Sequence, residues 1–261
     1  MDLGYTVSGF LVGAIVGLTG VGGGSLMTPI LVLLFGVAPA TAVGTDLLYA
    51  AITKGSGTLV HGLRGNVDWQ VTRRLAAGSI PATAATLFVL SRLGVDGHAG
   101  STLISTGLGI ALLLTAAALV FRRQLQAIAH RPGGALASLA APRRTLAVTV
   151  AFGALLGVLV TISSVGAGAL GVTVLILLYP NLPITRVVGS DIAHAVPLTL
   201  LAGLGHWLIG SVNWTMLAAL LLGSLPGIVL GSHFAGRVPE KLIRFLLAAI
   251  LLVVGGRLVL V

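Results

Sequence analysis

The feature that most constrains this chain is that its sequence occurs twice. Val43-Gly44-Thr45-Asp46 returns as Val188-Gly189-Ser190-Asp191, 145 positions later. The same offset pairs His61 with His206, Gly65 with Gly210, Trp69 with Trp214, Pro81 with Pro226 and Arg92 with Arg237. Upstream, Gly20-Val21-Gly22-Gly23-Gly24 aligns with Ser164-Val165-Gly166-Ala167-Gly168, and Pro39 with Pro183, at an offset of 144. One inserted residue near Val187 reconciles the two offsets. A duplicated apolar chain with a glycine-broken helix in each half is the pattern of secondary transporters, whose sites lie where the halves meet.

Composition fixes the class. Of 261 residues, 56% are hydrophobic and 8% charged, against about 25% charged in a soluble domain. Apolar runs of spanning length follow one another almost without interruption, so the expected fold is an all-α polytopic membrane protein. The 37 glycines suit close packing of membrane helices. The net charge of +9 sits in loops, where it sets orientation, and calls for no nucleic acid. With no cysteine, disulfides, thiolate metal sites and thiol catalysis are excluded. The start of the chain lacks the basic region of a cleaved signal peptide, so the first apolar segment is expected to stay in the mature protein.

The first half, residues 1–121, reads as a broken segment near 6–36 and helices near 40–62, 69–92 and 99–121. The second, 145–261, repeats this near 145–180, 184–208, 214–236 and 240–260. Between them, 122–144 reads as a polar, flexible, arginine-bearing linker, placed in the cytoplasm by the positive-inside rule. If each broken segment crossed once, nine basic residues would lie inside and five outside. If each enters and returns, the halves invert, and only Arg92 and Arg257 remain outside, twelve against two. Lengths agree with the second option: residues 6–19 and 26–35 make about 21 Å and 15 Å of helix, each short for a ~30 Å hydrocarbon core. The expectation is therefore two inverted repeats with both termini outside the cytoplasm.

Three segments resemble the TauE/SafE family of sulfite exporter-like permeases. They are Gly17-Leu18-Thr19-Gly20-Val21-Gly22-Gly23-Gly24-Ser25 followed by Pro29, then Ala42-Val43-Gly44-Thr45, then Arg64-Gly65-Asn66-Val67-Asp68-Trp69. Weaker copies follow in the same order in the second half, so the resemblance covers essentially the whole chain. It implies an integral protein of a prokaryotic cytoplasmic (inner) membrane that moves sulfite, a sulfonate or a related organosulfur anion. The chain departs from the family at Asp46 and Asp191, where a small hydroxylated residue is commoner, and at the degraded second glycine motif, Ser163 to Gly168.

Candidate residues follow from membrane chemistry. Backbone that leaves helical form in a bilayer must be buried in protein or line a polar cavity. The half-helix after each break points N–H groups and a positive dipole end at that cavity, which suits an anion. Expected substrate-binding residues are Gly22, Gly23, Gly24, Ser25, Thr28, Thr45 and Lys54, with Ser163, Ser164, Gly166, Gly168 and Ser190 in the second half. The competing explanation is that the glycines serve only helix packing. Asp46, Lys54, Asp191 and His194 are ionisable groups inside apolar helices, where function is the default expectation. Asp46, Asp191 and His194 are the candidate proton-coupling groups, with Asp191 and His194 on one helical face. Both aspartates could instead be structural acceptors. His61 and His206 are expected at the membrane interface with Trp69 and Trp214, and Pro197 is expected to kink its helix toward the cavity.

The expected function is a secondary transporter for a small anion, driven by protons or another ion. A passive anion channel and a cation or metal-ion transporter using Asp46 and Asp191 remain as alternatives. No enzyme motif, cofactor motif, P-loop or metal-ligand spacing is present. The expected partners are the anion and the lipid bilayer, and the sequence leaves homodimerisation open.

Overall fold

The computed structural model describes residues 3–19, 26–94, 98–129, 142–233 and 240–260. They form ten helices and no strand. In chain order these are α1 (Leu3–Thr19), α2 (Met27–Phe35), α3 (Pro39–Leu63), α4 (Trp69–Leu93), α5 (His98–Ala129), α6 (Pro142–Ser163), α7 (Ala169–Leu178), α8 (Ile184–Leu208), α9 (Trp214–His233) and α10 (Glu240–Leu260). Five helical stretches are long and apolar enough to cross a membrane: Trp69–Leu93, Gly100–Phe121, Arg143–Ser163, Ile184–Leu208 and Trp214–Gly231. The all-α membrane class expected from composition is what the chain forms.

Each broken segment closes as a hairpin. The rings of Tyr5 and Phe35 lie 4.8 Å apart, which brings the start of α1 level with the end of α2. The Thr149 and Tyr179 hydroxyls are 2.8 Å apart, which does the same for α6 and α7. These contacts occupy matching positions, since 144 residues separate Tyr5 from Thr149 and Phe35 from Tyr179. Fourteen helical residues lead from the base of each hairpin to its break, a depth of about 21 Å.

Glycines set the packing between the halves. A methyl group on Gly13 would stand 2.5 Å from the Ser224 carbonyl, and one on Gly223 would stand 1.9 Å from that of Thr6. Helix α1 thus runs parallel to α9 at a separation only bare backbone permits. The matching pair is α4 and α6, where Gly78 meets the Val150 carbonyl and Gly157 that of Ser79. At the centre α3 and α8 run antiparallel: Gly44 faces His206, Leu48 faces Gly203, Gly57 faces Ile192, and Gly189 faces His61. Each hairpin's first helix therefore lies against the fourth helical segment of the opposite half, wrapped around the central pair.

One detail differs from the sequence expectation. Helix α5 runs on to Ala129 and α6 begins at Pro142, so the described ends of the 122–144 segment are helical extensions. Pro81, Pro197 and Pro226 all sit inside continuous helices with exposed side chains. Pro197 lies within α8 with its ring exposed.

The seam predicts sharply position-dependent effects. Gly223→Val forces side-chain atoms into the Thr6 carbonyl and should abolish recovery of folded protein. Gly256→Ala, with nothing within 4 Å, should leave yield and unfolding temperature unchanged. Size-exclusion profiles and thermal unfolding in detergent check both.

Candidate functional site

The repeated Val-Gly-Thr/Ser-Asp motif begins each central helix and does three jobs in successive residues. The glycine gives the opposite half access to the backbone. A methyl on Gly44 would lie 2.3 Å from the Ser211 carbonyl, and one on Gly189 would lie 2.0 Å from the Asn66 carbonyl. The hydroxyl then binds the loop that has approached. Thr45 Oγ1 accepts the Asn213 N–H at 3.1 Å, and Ser190 Oγ accepts the Asp68 N–H at 2.8 Å. Asp68 and Asn213 in turn cap the next helices. Asp68 Oδ1 accepts from the amides of Gln70 and Val71 at 3.0 and 3.1 Å, and Asn213 Oδ1 from that of Met216 at 3.0 Å. Thr45 and Ser190, expected among substrate ligands, thus direct their hydroxyls at these two reciprocal clasps.

The aspartate of each motif turns inward to a helix break. Asp46 (0% exposed) and Asp191 (1%) are both buried, as are Lys54 (6%) and His194 (0%). Asp46 Oδ2 accepts a 2.5 Å hydrogen bond from Thr28 Oγ1, in the first turn of α2. The Ser164 side chain stands beside the same carboxylate. Yet neither Ser164 Oγ nor Asp46 Oδ1 has a hydrogen-bond partner among the described residues.

Asp191 has a different setting. The Gly168 backbone N–H is directed at its carboxylate, and Gly171 leaves the room it occupies, because a methyl there would lie 1.8 Å from Oδ1. Lys54 crosses from α3 to donate to the Ala167 carbonyl at 3.1 Å. From there its ammonium acts electrostatically on Asp191 foremost and on Asp46 second.

The second break supplies the backbone between the two carboxylates. Ser164 takes a left-handed conformation (φ 59°), and Gly166 and Gly168 lie at φ 130° and 127°, conformations that L side chains rarely adopt. Ser163 is occupied within the turn: its hydroxyl donates to the Leu159 carbonyl and accepts the Val165 N–H. Helix α7 restarts with the Gly171 N–H on the Gly166 carbonyl and the Val172 N–H on that of Gly168. Gly22, Gly23, Gly24 and Ser25 of the first break lie outside the described residues. Of the expected ligands the structure therefore brings together Thr28, Lys54, Ser164 and Gly168 with Asp46 and Asp191.

His194 belongs to the same helix face but looks toward α4, with Nε2 2.8 Å from Ser79 Oγ and Nδ1 without a partner among the described residues. Its counterpart Tyr49 directs its hydroxyl toward Ser224, the residue matching Ser79. His206 departs from the interfacial expectation. It is fully buried, and its Nε2–H donates to the Thr161 carbonyl at 2.9 Å, tying α8 to α6. Sequence spacing did not reveal Gly171, the clasp partners Asp68 and Asn213, or Ser79 as the partner of His194. Applying the 144–145 offset to every small or polar residue, beyond the obvious motifs, flags the clasps.

Membrane-spanning helices, paired helix breaks and charged groups buried between them define a membrane transporter. The family model described as "Sulfite exporter TauE/SafE" matches residues 5–258. The chain belongs to the TauE/SafE family. It is 36% identical over 259 residues to the probable membrane transporter protein YjnA of Bacillus subtilis (strain 168), covering 99% of this chain and 100% of that protein. It is 27% identical to the probable membrane transporter protein YdhB of the same organism, covering 90% and 91%. The probable membrane transporter protein MJ0441 of Methanocaldococcus jannaschii is 25% identical, with 95% and 92% covered. No solved structure matches the chain.

Two predictions follow from the site's construction. Gly171→Ala raises helix propensity but drives a methyl group into Asp191, so transport should fall at least tenfold with the fold retained, read by flux and unfolding temperature together. Thr45→Val and Ser190→Ala each strand a backbone N–H. Either should destabilise the protein by about 1–3 kcal/mol, and the double variant should lose roughly the sum, since the clasps lie at opposite ends of α3 and α8.

Proposed function

We propose that this protein is a secondary transporter for a small anion, with sulfite or a related organosulfur anion as the expected substrate. The observation that carries the reading is Lys54. A buried ammonium reaches a helix break at Ala167, next to the residues from which α7 restarts. A cationic side chain and the positive end of a half-helix then face the same space, the arrangement an oxyanion requires. The family's printed description names a sulfite exporter, and the substrate class is taken from it. Among the described residues no cluster of three or more His, Asp or Glu is present, and the transported ion is assigned to Lys54 and the break.

Coupling follows from charge. Asp46 and Asp191 both oppose an incoming anion, and Asp191 also competes for Lys54. A proton on Asp191 releases the ammonium to pair with the anion, and loss of that proton returns Lys54 to its carboxylate and expels the substrate. His194, one turn along α8 and bonded to Ser79, is the proposed proton relay. Raising the pH should therefore weaken anion binding.

The antiparallel run of α3 and α8 and the hairpin closure of both broken segments support inverted repeats. Three full crossings per half would bring the first residues of α4, α6 and α8 to one face, with Arg73, Arg74, Arg143, Arg144 and Arg186. On that arrangement the 122–144 segment is cytoplasmic, both ends of the chain lie on the other side, and the membrane is the cytoplasmic membrane of a prokaryote.

Proteoliposome flux with sulfite, sulfate, thiosulfate and short sulfonates, with and without a proton gradient, tests the proposal. At least one of these anions should accumulate above its equilibrium distribution, and Lys54→Met should reduce flux at least tenfold. Asp191→Asn should flatten the dependence on pH. Flux that only equilibrates would identify a channel, and a C-terminal reporter active in the cytoplasm would overturn the inverted topology.

A further inference from the structure

The two pseudo-symmetric carboxylates are equivalent by descent and unequal in surroundings. Asp191 has a built-in cation, since Lys54 reaches into the adjacent break and acts on Asp191 foremost. The position matching Lys54 in the other half is Thr199, whose hydroxyl donates to the Ala195 carbonyl of its own helix. Among the described residues Lys54 is the cationic side chain that acts on Asp46 as well, and it does so only after Asp191. Around Asp46 stand oxygens: Thr28 Oγ1 bonded to Oδ2, and Ser164 beside the carboxylate. In the sequence the counterparts of these two hydroxyl residues carry none: Gly20 matches Ser164 and Val172 matches Thr28 at the 144 offset.

A fully buried carboxylate without a partner cation is expensive. A proton on Oδ1 would donate to a neighbouring hydroxyl. Ser164 stands beside the carboxylate as a hydrogen-bonding neighbour, and neither its Oγ nor Asp46 Oδ1 has any other partner among the described residues, as is also true of Asp191 Oδ1. A buried carboxylate with two hydroxyl oxygens around it suits a hard cation, because such ions take oxygen ligands. The helix that ends at this point adds to the effect. Helix α6 terminates at Ser163, presenting the negative end of its dipole and its last carbonyls to the turn that carries Ser164. Unwound backbone and half-helix C-termini are where transporters hold coupling cations.

We propose that Asp46, Thr28 and Ser164 form a site for a monovalent alkali cation, sodium, which does for Asp46 what Lys54 does for Asp191. The inference rests on the anion-transport reading above and supplies its second coupling ion. Sodium binding cancels the charge of Asp46 before the anion arrives, and release of the ion on the other side restores the repulsion that ejects the substrate.

The test uses the full-length protein in detergent, titrated with sodium chloride in a choline chloride background, with unfolding temperature as readout. Sodium should raise that temperature saturably by about 2–5 °C, and potassium should do so at least tenfold less effectively. Asp46→Asn should abolish the shift. Ser164→Ala and Thr28→Val, which keep the carboxylate, should each raise the half-saturating sodium concentration about tenfold. Asp191→Asn should retain the shift. In proteoliposomes an inward sodium gradient should raise anion flux several-fold. No sodium-specific shift, or an equal shift in Asp46→Asn and Ser164→Ala, overturns the site. Full anion flux without sodium overturns it while leaving the transport reading intact. A saturable sodium shift with no flux of any anion in the panel supports the cation site and refutes the anion reading.

Discussion

A peptide bond that leaves helical form inside a bilayer must find new partners for its N–H and C=O, and the rest of this structure depends on meeting that requirement. The second break meets it locally. Ser163 supplies an acceptor to Val165 and a donor to Leu159, and the carbonyls of Gly166 and Gly168 restart α7. The left-handed residues that make the turn then leave Ser164, Ala167 and Gly168 facing inward between two carboxylates. Polar groups are tolerated at this depth because they are enclosed by protein on every side, which is the task of the surrounding helices.

That enclosure comes from glycine seams used reciprocally. Helix α1 lies on α9 and α6 lies on α4, so each hairpin is held by the opposite half, and the central α3–α8 pair is locked at both ends by Gly44 and Gly189. Packing between lipid-soluble helices gains little from hydrophobic burial and relies on close backbone approach and shared hydrogen bonds. The clasps from Thr45 to Asn213 and from Ser190 to Asp68 add such bonds where the helices begin. The same three-residue turn thus docks the halves, satisfies a loop amide and presents an aspartate to a break. This triple use accounts for its recurrence in both halves.

The helical membrane class and the helix order were legible from hydropathy and from the 145-residue offset, because both are properties of many residues at once. The short helices of the broken segments were legible from their lengths, and Tyr5 with Phe35 and Thr149 with Tyr179 are the contacts that bring their far ends together. That Asp46, Lys54, Asp191 and His194 would be enclosed by protein was readable from their cost in lipid. Their partners were not. Whether Thr45 binds a substrate or a loop depends on which carbonyl reaches Gly44, a distance of a few ångströms set by the other half of the chain. For the same reason His206, which reads as interfacial from its place near a helix end, is buried by the approach of α6.

Duplication gives two half-sites with the same scaffold, and divergence then acts on few positions. Lys54 matches Thr199, Tyr49 matches His194, and Ser164 matches Gly20. Each exchange changes charge or hydrogen bonding without changing the glycines that position the helices. A fully symmetric pair of aspartates would hold two equal charges in a low-dielectric interior, with no reason for one ligand to differ from another. On the proposals made above, an ammonium on one side splits their roles: one carboxylate competes with substrate for Lys54, and the other takes a cation from outside. On the transport reading proposed here, direction and coupling stem from that inequality, while the symmetric frame lets both break-bearing hairpins move against the central pair by the same geometry.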